Sequence, residues 1–581
     1  MKFATTTISI FCSLILFIVD GNSQVLDYPR NIEWHNAGAV TPFPDISEFD
    51  GIFHVPPPSH DNDWKLIQAA IDSAGESNGI NLVLLSEGTY LLDRPLVLEA
   101  GTHDNVYIKG AGPNHLMNSG PSTILEFDFT NPINFRIPVY GNINSGIALK
   151  GGDDVLLGVI TEYDSSSNQI TISSSNSRLN KGDLIRVRSN KVGISCKEHP
   201  CLGQMNRIKN VISLSPLVLE LEHDFSLTWD QQNTYGGINL DVHKIDALQN
   251  VGISSLGLET TGYNPAPLPD HFVCKDEPSA NRSPHGHHIL AFRVYNASLQ
   301  DLYSYRPIAN HIYMIESFHN TVSDSFFDGA IYRHGCFGGH GYGVNLWRKN
   351  TLNLIENNIF RQLRRSLMFS RGVHKNVIGY NYSREVAAQT GSHIRGDLSS
   401  RNMSDSGNLA EGNILDRILN DTYHESTYTA YKNVYFRNST YYKYIENEGG
   451  IENYFIGNQG EFKGRHNPAS IKADLYAFID SSSSTHKSSS SGFSDPDFLL
   501  NTTSLYHQDI PSFIYQKDTW NLSYTWPSIG PRLNPNDQQL TQDIPARGRY
   551  CAAYNNYPDS AYHCSGLTDF LPAESDDIDG K

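Results

Sequence analysis

The sequence predicts an all-β fold, a parallel β-helix solenoid, from three observations. Asn recurs at the head of short strand-like segments such as NVIGYNY, NLAEGNI and NVYFRNS. Aligned on an Asn followed five positions later by a small or amide residue, the segments start at Asn250, Asn296, Asn320, Asn353, Asn376, Asn408, Asn433 and Asn453. Their spacing of 20 to 46 residues is that of a repeat with insertions, in which each turn buries its face only against its neighbours. Asn suits the turns because it tolerates left-handed backbone and bonds locally. A leucine-rich solenoid would need a denser leucine pattern.

Taken in order, residues 1–23 carry Lys2, an apolar run from Ile8 to Val19, and the small or polar Gly21, Asn22 and Ser23. That is the pattern of a secretory signal peptide. No later stretch approaches the roughly 20 apolar residues a membrane span needs, so an exported protein, periplasmic or secreted, is expected. Next, DWKLIQAAIDSA (Asp63–Ala74) has helical apolar spacing and is read as a short capping helix; the strand-like LVLLSEGTYLL and NVYIKGAG follow. Residues 24–480 are assigned to the solenoid. Within them a small β-rich insertion over about 144–245 breaks the Asn register around Gly182 to Arg188. The tract Ser481 to Phe493 is read as a flexible surface loop, and the remainder to Lys581 as a tail packed along the solenoid.

The 44 Lys and Arg against 62 Asp and Glu leave a formal charge of −18, with 18% charged residues, 31 Tyr and 26 Phe. This excludes a disordered chain, a coiled coil and a nucleic-acid binder. After the leader six cysteines remain: Cys196, Cys201, Cys274, Cys336, Cys551 and Cys564. Export permits disulfides between local pairs, and the absence of any Cys-x-x-Cys spacing argues against zinc.

The order DWKLIQAAIDSA, EGTY, NVYIKGAG and then Asn-started coils resembles the right-handed parallel β-helix superfamily of pectate-lyase-like polysaccharide enzymes. The segment from Gly339 through Ser383 resembles exported bacterial β-helix proteins of polysaccharide-degrading systems. The resemblance covers residues 50–460 approximately. It implies a right-handed, single-stranded β-helix, and substrates of the ulvan, alginate or pectin type. It does not fix the chemistry, because the superfamily holds lyases, hydrolases, isomerases and non-catalytic spikes.

Charge locates a candidate site. Between Ile331 and Arg395 stand eight Arg and two Lys against Glu356 and Glu385, with His334, His340, His374 and His393 in the same window. A cationic patch on an acidic exported solenoid suits a localised anion. Eliminating across C4 and C5 of a uronate requires neutralising the carboxylate, removing the C5 proton and protonating the departing oxygen. Arg333, Arg364 and Arg365 are expected to clamp the carboxylate and His334 and His393 to serve as acid and base. Arg395 is placed with them at the catalytic centre. His340, Tyr342, Lys375 and His424 are expected to line the substrate path, and Tyr can donate to a leaving oxygen. Asp328, Arg361, Arg384 and Asp416, stacked on successive turns, are read as a structural ion-pair ladder.

Relatives of this class sometimes use Ca²⁺, and Asp324 with Asp328, and Asp397 with Asp405, are sparse for a six-oxygen site; no metal ligand is assigned, and Ca²⁺ is kept as the alternative to a cofactor-free enzyme. The PHGHH motif (Pro284 to His288) is read as a loop. Gly339-His340-Gly341 resembles the Gly-His-Gly element of polygalacturonases, yet the Asp residues of that chemistry have no counterparts nearby. The reading is therefore a carbon–oxygen lyase on a uronate-containing polysaccharide or oligosaccharide, acting as a monomer without nucleic-acid or membrane partners. Its alternatives are a chain-end oligosaccharide dehydratase, a β-helix glycoside hydrolase and a non-catalytic carbohydrate-binding spike.

Overall fold

Short strands separated by single left-handed residues stack coil upon coil into three parallel sheets. The computed structural model describes residues 32–59, 63–113, 122–129, 135–137, 141–173, 178–189, 202–234, 239–261, 286–331, 340–385, 396–400, 404–420, 430–447, 453–464, 475–479, 486–489, 503–515, 524–529 and 543–554. One coil consists of Leu354–Glu356 in sheet 1, Ile359–Arg361 in sheet 2 and Arg365–Ser370 in sheet 3. Each strand pairs in parallel with its equivalent one coil on: Leu354 with Val377, Ile359 with Tyr382, Leu367 with Leu398. The fold is thus the all-β parallel β-helix that the repeat predicts.

Two columns of side-chain amides fix the corners on either side of sheet 1. Asn320, Asn353, Asn376, Asn408 and Asn433 each donate a backbone N–H to the amide oxygen of the next Asn, at 2.9 or 3.0 Å. Ser325, Asn358, Asn381, Asn413 and Asn438 do the same in the second column at 2.9 to 3.1 Å. The residue before each second-column position is left-handed, for example Asn357 (φ 53°) and Tyr380 (φ 57°). It turns the chain inward so that the next side chain can bridge two coils. Buried amides whose bonds are all made rigidify such a corner. The early coils differ by one position. Asn250 and Asn296 themselves hold the left-handed site (φ 54° and 59°), and it is Ala297 that aligns with Asn320. A register counted on Asn alone therefore slips by one between Asn296 and Asn320.

The interior is filled by stacked aliphatic rows such as Ile289, Ile312, Val344, Leu367 and Leu398. The helix Asp63–Glu76 closes the first coil with Ile67, Ile71 and Ala74, one helical face, turned into this core. Asp63 ties its start by accepting the N–H of Ser59 (3.0 Å) and of Leu91 (3.1 Å).

Further layers cover two of the three sheets. Residues 32–41 run along sheet 1, where Trp34 donates to Gly407 O (2.7 Å) and Thr41 N–H to Asn296 (3.1 Å). The tail lays Phe513, Ile514, Ile529, Ile544 and Tyr550 against Tyr303, Phe326, Ile359 and Tyr382 outside sheet 2. Cys551, in the helix Pro545–Tyr554, is disulfide-bonded. Asp154 to Ile245 form a closed six-stranded antiparallel barrel. Strand Ser145–Lys150, inside the stretch expected to be inserted, instead belongs to sheet 3. The barrel sits at the corner between sheets 3 and 1. There Arg186 bonds Glu316 and Asp154 (both 2.5 Å), and Arg293 bonds the same two carboxylates at 3.1 and 2.7 Å. Within the Ser-rich tract, His486–Ser489 is a strand antiparallel to Leu475–Ile479 rather than loop, because the open edge of the last coil offers it backbone partners.

Sheet 3 keeps its own outward cluster, Leu290, Phe292 and Ile315 with Tyr313 and Trp347. Among the described residues, the N-terminal layer packs on sheet 1 and the tail on sheet 2.

Candidate active site

The corner between sheets 2 and 3 gathers the basic residues. Gly341, left-handed at φ 79°, turns the chain into the strand Tyr342–Trp347, and its carbonyl accepts the N–H of Arg364 at 2.8 Å and of Arg365 at 3.4 Å. This places Arg365 beside Tyr342 in register on the next coil. The guanidinium carbons of Arg364 and Arg365 lie 5.7 and 5.9 Å from the centre of the Tyr342 ring, within cation–π range. The Tyr342 N–H donates to the Asn310 amide oxygen (3.1 Å), and Arg365 Nη1 lies 3.2 Å from Met368 Sδ. Gly343 is needed for this close approach, since a Cβ there would stand 2.5 Å from the Phe360 ring. His340 precedes Tyr342 by two residues. All four side chains are buried, between 1% and 4% exposed, and burial strengthens the attraction of a guanidinium pair for an anion.

Beneath the corner the interior is polar. Ser304 Oγ lies 2.7 Å from His288 Nδ1 and 2.6 Å from His311 Nδ1, while His311 Nε2 is 2.7 Å from Gly329 O. A carbonyl only accepts, so His311 donates from Nε2 and accepts the Ser304 hydroxyl at Nδ1. His288 then donates to Ser304 and accepts from Thr260 (2.9 Å). The chain closes with both rings neutral. Burial enforces this, lowering His311 to about 3 and His288 well below its ordinary value.

A second cluster lies on the later coils. Ser366 Oγ is 2.6 Å from Ser383 Oγ and donates to Asp397 (3.3 Å), and Asp416 N–H donates to the same carboxyl at 2.5 Å. Burial, then the neighbouring Asp416 charge, raises Asp397 well above the usual carboxylate range. Between the clusters, the stacked Phe327 and Phe360 rings (5.1 Å) fill the core.

Of the sequence-expected residues, Tyr342, Arg364, Arg365 and His340 converge on this corner. Arg333, His334, His393, Arg395 and His424 lie outside the described residues. Lys375 does not line the path. Its left-handed backbone (φ 53°) sits just before the first amide column and sends the side chain into the barrel, where Nζ donates to Asp224 O (2.7 Å) and pairs with its carboxylate (3.1 Å). Asp328, Arg361 and Arg384 stack in register, with ion pairs from Arg361 to Asp328 (3.4 Å) and from Arg384 to Asp416 (3.0 Å). They form a structural ladder on sheet 2.

The carboxylates of this window do not fit a calcium ion. Asp324 accepts from Asn357 (2.7 Å), Asp405 accepts from Gly372 and Val373 N–H (3.1 Å each), and Asp328, Asp397 and Asp416 are engaged as described. Among the described residues no three His, Cys, Asp or Glu side chains converge as metal ligands.

Sequence reasoning missed one feature of the same sheet. The guanidinium carbons of Arg348 and Arg371 lie 4.0 and 5.0 Å from the centre of the Trp347 ring, with the Tyr313 ring at 5.7 Å. Its signal was the register of Trp347 with Ser370, which puts the two following arginines on neighbouring coils.

No protein-family model matches the chain, and no curated protein sequence does. Among solved structures it is similar to the tailspike of Pseudomonas phage phi297, with a TM-score of 0.43 and 13% identity over 69% of this chain and 60% of that one. It is also similar to the tailspike of Pseudomonas phage LKA1, with a TM-score of 0.44 and 12% identity over 68% and 56%. An alginate lyase from Paenibacillus sp. str. FPU-7 gives a TM-score of 0.34 and 7% identity over 73% and 99%. The chain therefore spans about three-fifths of the tailspikes it matches.

Proposed function

We propose that the protein is a carbohydrate-active β-helix enzyme, and specifically a carbon–oxygen lyase that acts by β-elimination on a uronate-containing polysaccharide or oligosaccharide. The observation that carries this reading is the pair of guanidiniums from Arg364 and Arg365 flanking Tyr342 on one corner. A guanidinium binds a carboxylate through two parallel N–H donors, and neutralising that carboxylate acidifies the adjacent C5–H. A base then takes the C5 proton, the C4–O bond breaks, a C4–C5 double bond forms, and the departing oxygen is protonated. The Tyr342 phenol is assigned to this proton transfer, and His334 and His393 remain the acid and base candidates of the same proposal, with Arg333 and Arg395 as added positive charge. A hydrolase would instead need two carboxyls facing a common gap. The described carboxyls of this corner, Asp397 and Asp416, are turned into the core and the ion ladder. Export, expected from residues 1–23, belongs to this proposal.

The test is ultraviolet absorbance of the unsaturated uronate during incubation with ulvan, alginate, pectate and their pre-digested oligomers. Absorbance on polymer supports a chain-cleaving lyase, and absorbance on oligomers alone supports the chain-end dehydratase. New reducing ends without absorbance overturn elimination in favour of hydrolysis.

A further inference from the structure

The outer face of sheet 3 holds a buried amide whose oxygen is left unbonded. Asn345 stands between Val344 and Leu346, which both turn into the core, so strand alternation points its side chain outward. The residue is 5% exposed, and its Oδ1 has no hydrogen-bond partner among the described residues. An acceptor taken out of water and left without a donor is destabilising, and in a native protein such an atom calls for an explanation.

Register supplies its surroundings. Tyr313 lies directly opposite Asn345 one coil before, Met368 one coil after and Ser399 one coil further on, at about 4.8 Å per coil. Trp347 is the next residue on the same face of the same strand, about 6.6 Å along it. The Tyr313 and Trp347 rings keep part of their surface exposed, with centres 5.7 Å apart. On the other side Arg365 Nη1 rests 3.2 Å from Met368 Sδ, which brings the guanidinium to the coil next to Asn345. Beyond it, Ser399 Oγ also has no hydrogen-bond partner among the described residues. Two unbonded polar atoms therefore stand on the coils either side of the guanidinium, and an aromatic pair adjoins the first of them.

We infer that Asn345 is a specificity-determining residue, which accepts a hydrogen bond from a free ring hydroxyl of the sugar whose carboxylate Arg365 holds. The inference rests on the uronate reading of Arg365 and narrows it. An unbonded amide oxygen asks for a donor, and a hydroxyl provides one; an O-sulfate, O-acetyl or O-methyl group at the same position has no proton to give. A cation is a poor occupant, because the neighbouring guanidinium makes the field there positive. Tyr313 and Trp347 add apolar surface suited to the C–H side of a sugar ring. Met368, unbranched and adaptable, can give way as the ring enters. The substrate unit is accordingly a uronate that is unsubstituted at this hydroxyl, and units modified there are rejected.

Saturation-transfer NMR on the full-length protein tests this without requiring turnover. The probes are the methyl glycosides of glucuronate and galacturonate, their 2-deoxy and 3-deoxy analogues, and methyl glucoside as the uncharged counterpart. In the wild type at least one deoxy analogue should bind about tenfold more weakly than its parent. In Asn345→Leu that penalty should vanish, because the acceptor that reads the hydroxyl is gone. Asn345→Ala reads the same way should the leucine variant fail to fold, and each variant is checked for its melting transition. Arg365→Ala separates the two readings: it should abolish the preference for uronate over methyl glucoside and keep the deoxy penalty. A uronate preference that survives in Arg365→Ala would sink the carboxylate clamp and leave Asn345 standing. Deoxy analogues bound as well as their parents, a penalty that persists in both Asn345 variants, or no binding of any probe would overturn the inference and leave a buried water as the partner of the amide.

Discussion

His319 of the solenoid and His223 of the inserted barrel segment meet with their Nε2 atoms 2.9 Å apart. His319 Nδ1 is 3.0 Å from Gly38 O, so that nitrogen carries the proton and Nε2 accepts from His223. Three separate stretches, the N-terminal layer, the solenoid and the barrel, are therefore joined through two neutral imidazoles. Protonating His319 at Nε2 places a donor against a donor. Burial, together with the partner ring's charge for His223, lowers His319 to about 4 and His223 to about 2.

The pH dependence follows in sign. Both rings have folded values below the ordinary 6.5, so their stabilising contribution is complete above pH 6.5. It declines as pH falls toward 4, because the unfolded chain takes up protons that the folded one refuses. Each ring contributes a slope of up to about 1.4 kcal/mol per pH unit. His311 and His374, both lowered to about 3 by burial, add to it. Urea unfolding midpoints should fall steeply between pH 6.5 and 4.5, less so in His223→Gln. Midpoints flat over that range would refute the neutral pair.

Lys375→Met should weaken the barrel's attachment and leave substrate turnover unchanged. The lysine is buried while its Asp224 partner is about a third exposed, so a loss of about 1–3 kcal/mol is expected, below that of a fully buried pair. Faster proteolysis between residues 154 and 245 with unaltered kcat/KM would agree. A turnover defect at full stability would return Lys375 to the substrate path.

Asn376→Ala should cost about 3 kcal/mol or more. It takes the Asn376 amide oxygen away from the Asn353 backbone N–H (2.9 Å) and from the Asn353 side-chain amide (2.8 Å) inside the core, at about 1–3 kcal/mol apiece. In denaturant titrations the loss should exceed that of Lys65→Ala on the exposed face of the capping helix.

Tyr342→Phe should lower kcat by about 10²–10⁴-fold if the phenol transfers a proton, a range typical of general acid–base groups, with little change in melting temperature. Arg365→Lys keeps the charge but loses the two-pronged carboxylate geometry, so KM for uronate substrates should rise while solubility and fold persist. Wild-type rates in both variants would remove this corner from the chemistry.

The solenoid was legible in the sequence because its corner device is written in single residues: an amide that must bond to the next coil leaves an Asn at every turn. Where the device changed, at Asn250 and Asn296, the count slipped, since Asn serves equally as a left-handed residue and as a bridging amide. The ion ladder of Asp328, Arg361, Arg384 and Asp416 was readable from the same spacing. Lys375 was not, because its partner Asp224 comes from the barrel, 151 residues away.

The sequence by itself determined the repeat, the all-β class, the capping helix and the concentration of positive charge between Ile331 and Arg395. Only the tertiary structure decided which of those charges face one another. Sheet 3 carries no residue type that recurs at each coil, so the alignment of Ser145, His287, Asn310, Tyr342 and Arg365 exists only once parallel pairing sets the register. Side-chain direction in a strand depends on that register, and a shift of one residue turns every group to the opposite face.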